Sequence, residues 1–217
     1  MNWDTVSLDQ FVEALGEYKQ KFFRSNQPGE DQYTQIYTRL LGVSIEQRAE
    51  YVDDIVLFLN RWHCRLSRVN MPPALAAWIQ REAQALARLS ELAIDHADAP
   101  VHRHEFNRLY DSLRHLQREG VHTIGPAAIS KTLHLMVPPL FVMWDNAIRE
   151  RTAAEYGRFM VDMHEFALRL KTLLAAQYPN EDVETYLQAK LGYPFRKPLA
   201  KYIDEYNWYF AYGQAHY

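Results

Sequence analysis

Apolar residues recur along this chain with a helical period almost throughout. Ser7 and Gln10 have the spacing of a capping box, and Leu8, Phe11, Val12, Leu15, Tyr18 and Phe22 follow at steps of three and four, which marks an amphipathic helix. Tyr33, Ile36, Tyr37 and Leu40 trace a second helix that starts near Pro28-Gly29-Glu30. Ser44 and Gln47 repeat the box ahead of a long helix reaching about Arg68, with Val52, Ile55, Val56, Leu59 and Trp62 as its buried stripe. Pro72-Pro73 suits the first turn of the alanine- and leucine-rich helix that follows, to about Leu92. The run AIDHADAP at 93–100 breaks the pattern and is the expected boundary between two lobes. Phe106, Leu109, Tyr110, Leu113 and Leu116 mark a helix from about His102 to Glu119, ended by Gly120. Another spans about Arg158 to Gln177, and Asn180 is the expected N-cap of the next. No stretch alternates with period two. The pattern therefore predicts an all-α chain, one compact multi-helix domain over 1–217 built as two packed lobes.

Composition adds exclusions. Hydrophobic residues make up 48% and charged residues 24% of 217, an ordinary globular balance. No apolar run approaches the roughly 18 residues that a bilayer span needs. The start, MNWDTVSLDQ, lacks the basic region of a secretory signal, so a cytoplasmic, non-membrane protein is expected. Cys64 is the only cysteine, which excludes an internal disulfide and any multi-thiolate zinc or iron–sulfur site. Net charge is −3, so any contact with nucleic acid must come from local patches and not from a global basic field.

The stretch 120–149, GVHTIGPAAISKTLHLMVPPLFVMWDNAIR, carries the densest chemistry. It reads as a tight turn at Ile124-Gly125-Pro126, a helix, an apolar loop with Pro138-Pro139, and Asp145 opening a further helix. A glycine at the turn can adopt backbone angles closed to other residues, and proline fits a first helical turn. The unpaired amides of such a helix start can hold a phosphate. Asp145, 20 residues after Gly125, has two readings: an N-cap worth roughly 1 kcal/mol, or a carboxylate held ionised by its helix start.

This order of turn, helix, apolar loop and helix-opening aspartate resembles the helix-hairpin-helix DNA glycosylase superfamily, whose catalytic aspartate follows the hairpin's last glycine at about this spacing. The resemblance covers about 30 of the 217 residues and places the helix-hairpin-helix at about 113–149. It implies duplex DNA bearing a damaged or modified base as partner, Thr123, Ile124, Gly125 and Ala127 as the backbone-binding hairpin, and Asp145 as the catalytic carboxylate. The family's first hairpin glycine is replaced here by Thr123. The lysine by which some members cleave the strand through an imine is replaced by Ala127. Lys131 lies one turn further on the same face and leans back toward that position, which makes it an auxiliary cation or an alternative nucleophile. The resemblance thus implies a monofunctional, hydrolytic enzyme without cofactor, acting as a monomer in repair or in defence against modified viral DNA. A helical DNA-binding or assembly protein without chemistry is the alternative.

Other candidates are weaker. Arg61, Arg65 and Arg68, on the expected long helix, would share a face and could track a DNA backbone, or simply be solvated. Trp144, beside Asp145, is the aromatic placed to line a base pocket, with core packing as its other reading. Trp62 and Cys64 read as packing residues. His102 and His104 lie on different helix faces with no further ligand nearby, so no metal is expected. The tail aromatics Tyr202, Tyr206, Trp208, Tyr209, Phe210, Tyr212 and Tyr217 suit core packing, or a platform on which a base stacks.

Overall fold

The first helix, α1, runs Leu8–Arg24 in the computed structural model, which describes residues 3–24, 29–96, 98–116 and 124–213. Its start is the reciprocal box: the Ser7 amide donates to Gln10 Oε1 at 2.9 Å and the Gln10 amide to Ser7 Oγ at 3.2 Å. Leu8, Phe11, Leu15 and Tyr18 are buried along one face. α2 spans Gly29–Leu40 and is followed by Gly42 at φ +77°, a left-handed position that ends helices without penalty when the residue is glycine. The second box also forms, with Ser44 and Gln47 paired at 3.3 and 3.4 Å. It opens a short 3-10 helix, Glu46–Tyr51, that leads into α3, Val52–Arg61.

Here the expectation of one helix through Arg68 fails. The Asn60 side chain turns the chain back, accepting from the Leu66 amide at 2.5 Å and donating to the Leu66 carbonyl at 2.9 Å. It supplies both bonds that a continued helix would have given, while His63 and Arg65 adopt φ of 61° and 54°. Arg65 and Arg68 are exposed in this turn, and with Arg61 they form no helical stripe.

α4 (Met71–Ser90) starts on its two prolines, and α5 covers Ala99–His115. After the residues around Gly120 and Thr123, which lie outside the described set, come α6 (Pro126–Met136) and α7 (Asn146–Arg149). α7 is a single turn, shorter than the helix expected after Asp145, because Arg151 and Thr152 donate to the carbonyls of Ile148 and Arg149 and tighten the chain. α8 (Tyr156–Gln177), α9 (Val183–Leu191) and α10 (Leu199–Trp208) follow, with a π-helical turn at Tyr209–Gly213. The N-cap of α9 is Asp182 and not Asn180: its carboxylate accepts from the Thr185 amide at 3.0 Å. Among the described residues there are ten α-helices and no strand, so the chain is all-α.

α10 is the axis of the packing. Every residue from Leu199 to Asn207 is buried, with α1 and α8 against it and α5 along α8. α5 and α8 meet at Gly157, where a Cβ would come within 2.5 Å of the Arg103 carbonyl oxygen; only glycine permits that approach. The loop before α5 is tied down, the Ile94 amide donating to the Pro139 carbonyl at 2.9 Å and the Ile94 carbonyl accepting from His164 Nδ1 at 2.6 Å. Buried apolar residues on both sides of it belong to one contiguous core. No helix among the described residues is long and apolar enough to cross a membrane.

Candidate functional site

Asp145 owes its position to a buried loop. Val137, Leu140, Phe141, Val142, Met143 and Trp144 all lie inside the core, so the loop's backbone groups need partners that a helix would have supplied. Side chains provide them. His134 Nδ1 bonds the Phe141 carbonyl at 2.6 Å, the Tyr156 hydroxyl donates to the Val142 carbonyl at 2.9 Å, and the Trp144 amide donates to Ser130 Oγ at 2.8 Å. Arg48 closes the preceding helix end by donating to the Leu135 and Met136 carbonyls at 2.7 and 2.6 Å. Since Ser130 precedes Lys131 on α6, its bond to Trp144 fixes the loop that carries Asp145 against the helix that carries Lys131.

His134 is fully buried, and burial pulls its pKa down to about 3. A carbonyl only accepts, so the proton sits on Nδ1, and Nε2 is left to accept from the Tyr33 hydroxyl at 2.8 Å. The folded state holds this imidazole neutral, whereas an unfolded one protonates near pH 6.5. Stability from His134 is therefore complete above about 6.5 and falls, by up to about 1.4 kcal/mol per pH unit, toward pH 3. Urea midpoints of the parent and of His134→Gln should converge as the pH is lowered from 7 to 5; parallel lines would contradict this.

Asp145 and Lys131 line one cavity of about 720 Å³, within the range of small-molecule sites. Its walls come from six helices and their ends: Tyr18 of α1, Gln32 of α2, Arg61, Trp62 and His63 at the end of α3, Ala127 and Lys131 of α6, Asn146 of α7, and Asp204 and Trp208 of α10, with Met143 of the buried loop and Tyr212 of the C-terminal turn. Asp145 is half-buried and caps α7, Oδ1 accepting from the Ile148 amide at 3.1 Å. Burial, with the negative charge of Asp145 adding to it, pushes the neighbouring Tyr212 phenol up to about 12. The cap and the cavity wall are thus one residue. Lys131 Nζ lies 5.0 Å from the centre of the Trp62 ring, close enough for the indole face to stabilise its charge.

Some expected residues fall elsewhere. Trp144 is buried and does not line the cavity. Its indole Nε1 donates to Thr152 Oγ1 at 2.9 Å, and its ring packs on Tyr110, Tyr156 and Phe159; it is a core residue, and the indoles at the cavity are Trp62 and Trp208. Gly125 caps α6 at φ −72°, an extended conformation open to any residue, and a Cβ there would meet nothing within 4 Å. Its predicted backbone freedom is not used. Ile124 is buried. Burial raises the Cys64 thiol above its usual range. No group of three metal-ligating side chains exists among the described residues. Of the tail aromatics, Trp208 and Tyr212 line the cavity, stacked at 5.2 Å, while Tyr202 and Tyr206 are core; Tyr217 lies outside the described residues.

A buried charged cluster that the sequence pattern does not announce adjoins the cavity. Lys197, Lys201, Asp204 and Glu205 are all buried, with Lys197–Glu205 and Lys201–Asp204 pairs at 2.8 Å and Lys201–Glu205 at 3.4 Å. Asp204 reaches the cavity. Burial raises its pKa, Lys201 opposes the rise, and Glu205 and Asp145 add to it. No protein-family model, curated protein or solved structure matches the chain.

Proposed function

We propose that this protein is a hydrolytic DNA glycosylase that takes an extruded damaged or modified base into the cavity and breaks its N-glycosidic bond. The observation that carries the reading is the convergence of Asp145 and Lys131, from separate segments, on one open cavity beside the rings of Trp62, Trp208 and Tyr212. A carboxylate that served only as a helix cap would have no need of that company. In this reading the helix-hairpin-helix spans about 113–149, and the segments on either side of 93–100 contribute the two lobes between which the base enters.

The chemistry needs only side chains and water. As the C1′–N bond breaks, its electron pair leaves with the base and positive charge grows on the sugar. The Asp145 carboxylate stabilises that charge and takes a proton from the water whose oxygen bonds to C1′. The departing base nitrogen is reprotonated by the Lys131 ammonium or by solvent. Extrusion costs a few kcal/mol and least for a base already badly paired, which favours lesions over intact pairs. Aromatic walls return part of that cost by stacking.

Duplexes each carrying one oxidised, alkylated, mismatched or bulky modified base test the reading. After incubation and treatment with alkali, at least one is expected to break at the modified position. Borohydride should trap no covalent adduct on Lys131, and an adduct would replace hydrolysis by an imine route. Intact strands across the panel, with binding retained, would make the protein a DNA-binding scaffold.

A further inference from the structure

Asp204 is a buried carboxyl group to which the proposed chemistry gives no task. It lines the cavity together with Asp145, and its side chain is 9% exposed. Oδ2 accepts from Lys201 Nζ at 2.8 Å. Oδ1 has no donor among the described residues, yet it is not sealed inside the protein as Gln32 Oε1 and Trp62 Nε1 are, so this oxygen opens on the cavity. Lys201 stands 5.3 Å from the centre of the Trp62 ring, and Lys131 stands 5.0 Å from the same ring. One indole thus joins the Asp204–Lys201 pair to the side of the cavity that carries Lys131. Burying charged groups is costly, and apolar residues of similar size often serve stability better. A charged pair in the wall of a cavity therefore calls for a use.

The two carboxyl groups differ in their surroundings. Asp145 is half-buried, and the bond from the Ile148 amide favours its anion. Asp204 is enclosed, with Glu205 beside it and the charge of Asp145 reaching it, all of which favour its protonated form. Lys201 acts the other way, but it keeps Glu205 at 3.4 Å when Asp204 is neutral. Two carboxyl groups held in opposite protonation states are a common means of breaking glycosidic bonds.

We propose that Asp204 is the general acid of the site and delivers the proton on Oδ1 to the departing base. This deepens the glycosylase reading and rests on it. As the C1′–N bond breaks, its electron pair takes the Asp204 proton at the base nitrogen, while the Asp145 carboxylate takes a proton from the water that bonds to C1′. Solvent then carries a proton from Asp145 back to Asp204. The other titratable groups around Asp204 are the phenols of Tyr18, Tyr33 and Tyr156, from α1, α2 and α8, which burial keeps neutral. Lys197 lies beyond Glu205, and Lys131, Arg61 and His63 line the same cavity.

Single-turnover base release, followed from acid to alkaline pH with a duplex that the parent processes, tests this assignment. A general acid works only while protonated, so the parental rate should fall toward alkaline pH. Asp204→Asn keeps an acceptor for Lys201 but has no acidic proton; it should be slower by about 10²-fold or more and should lose the alkaline limb. Lys201→Met removes the cation that favours the ionised carboxyl, so its limb should move to higher pH. A parental rate that does not fall in alkali would overturn the proposal. So would Asp204→Asn at the parental rate, or a slow Asp204→Asn with the alkaline limb intact, the mark of a structural effect. With Asp145→Asn still impaired, any of those results leaves the glycosylase reading standing. Absence of release from every modified duplex would overturn both together.

Discussion

Lys197→Met is expected to lower the free energy of unfolding by about 3–5 kcal/mol, the cost of stranding one partner of a buried ion pair. Lys197 is fully buried, 2.8 Å from Glu205 and 3.5 Å from the centre of the Tyr193 ring. Burial pulls its ammonium below the usual lysine value while Glu205 acts against that shift. Two ammonium groups face two carboxylates in this cluster, so removing one leaves a net negative charge in the core. Since a domain's whole stability is about 5–15 kcal/mol, the loss would be plain in urea. Lys197→Met combined with Glu205→Leu should recover part of it, because the stranded carboxylate is then gone. The exposed pair Arg103–Glu155 sets the contrast: Arg103→Ala should cost less than about 1 kcal/mol despite its short contact. A Lys197→Met loss no larger than that would mean the cluster is not desolvated as described.

Asp145→Asn is expected to slow base release by about 10²- to 10⁴-fold, the usual contribution of a positioned acid–base group. The substitution separates the residue's two roles. Asparagine caps helices about as well as aspartate, so the bond to the Ile148 amide and the stability should persist. Asparagine cannot carry the negative charge that the sugar cation needs or take the proton of the attacking water. Asp145→Ala, by comparison, should lose both activity and roughly 1 kcal/mol of capping. Duplex binding should survive both changes.

What could be read from the sequence was local. The two capping boxes and the stripes of α1 and α2 depend on residues three or four apart, and they formed at the expected positions. Asp145 was legible for the same reason, as an acid opening a helix at a countable distance from Gly125. The break after Arg61 was not. It depends on one asparagine bonding the backbone six residues on, and on left-handed turns at His63 and Arg65, residue types that do not announce them. That break also brings Trp62 and His63 to the cavity, where a continued helix would have carried their neighbours along a straight face. The charged cluster beside the site was hidden by composition: Lys197, just before α10, and Lys201, Asp204 and Glu205 on it look like solvated residues, and only the layers packed around α10 make them core. Trp144 and Trp62 exchanged roles because adjacency along the chain to Asp145 says little about which indole faces the same space.

The most direct measurement is single-turnover release of free base, followed by mass spectrometry, from a duplex that the parent protein processes, with Asp145→Asn run beside it. The cavity described here predicts a free base and an abasic strand from the parent, and a rate at least about 10²-fold lower from a variant that is equally folded and binds the duplex equally well. Release at the parental rate from Asp145→Asn would leave Asp145 as a helix cap and place the chemistry elsewhere.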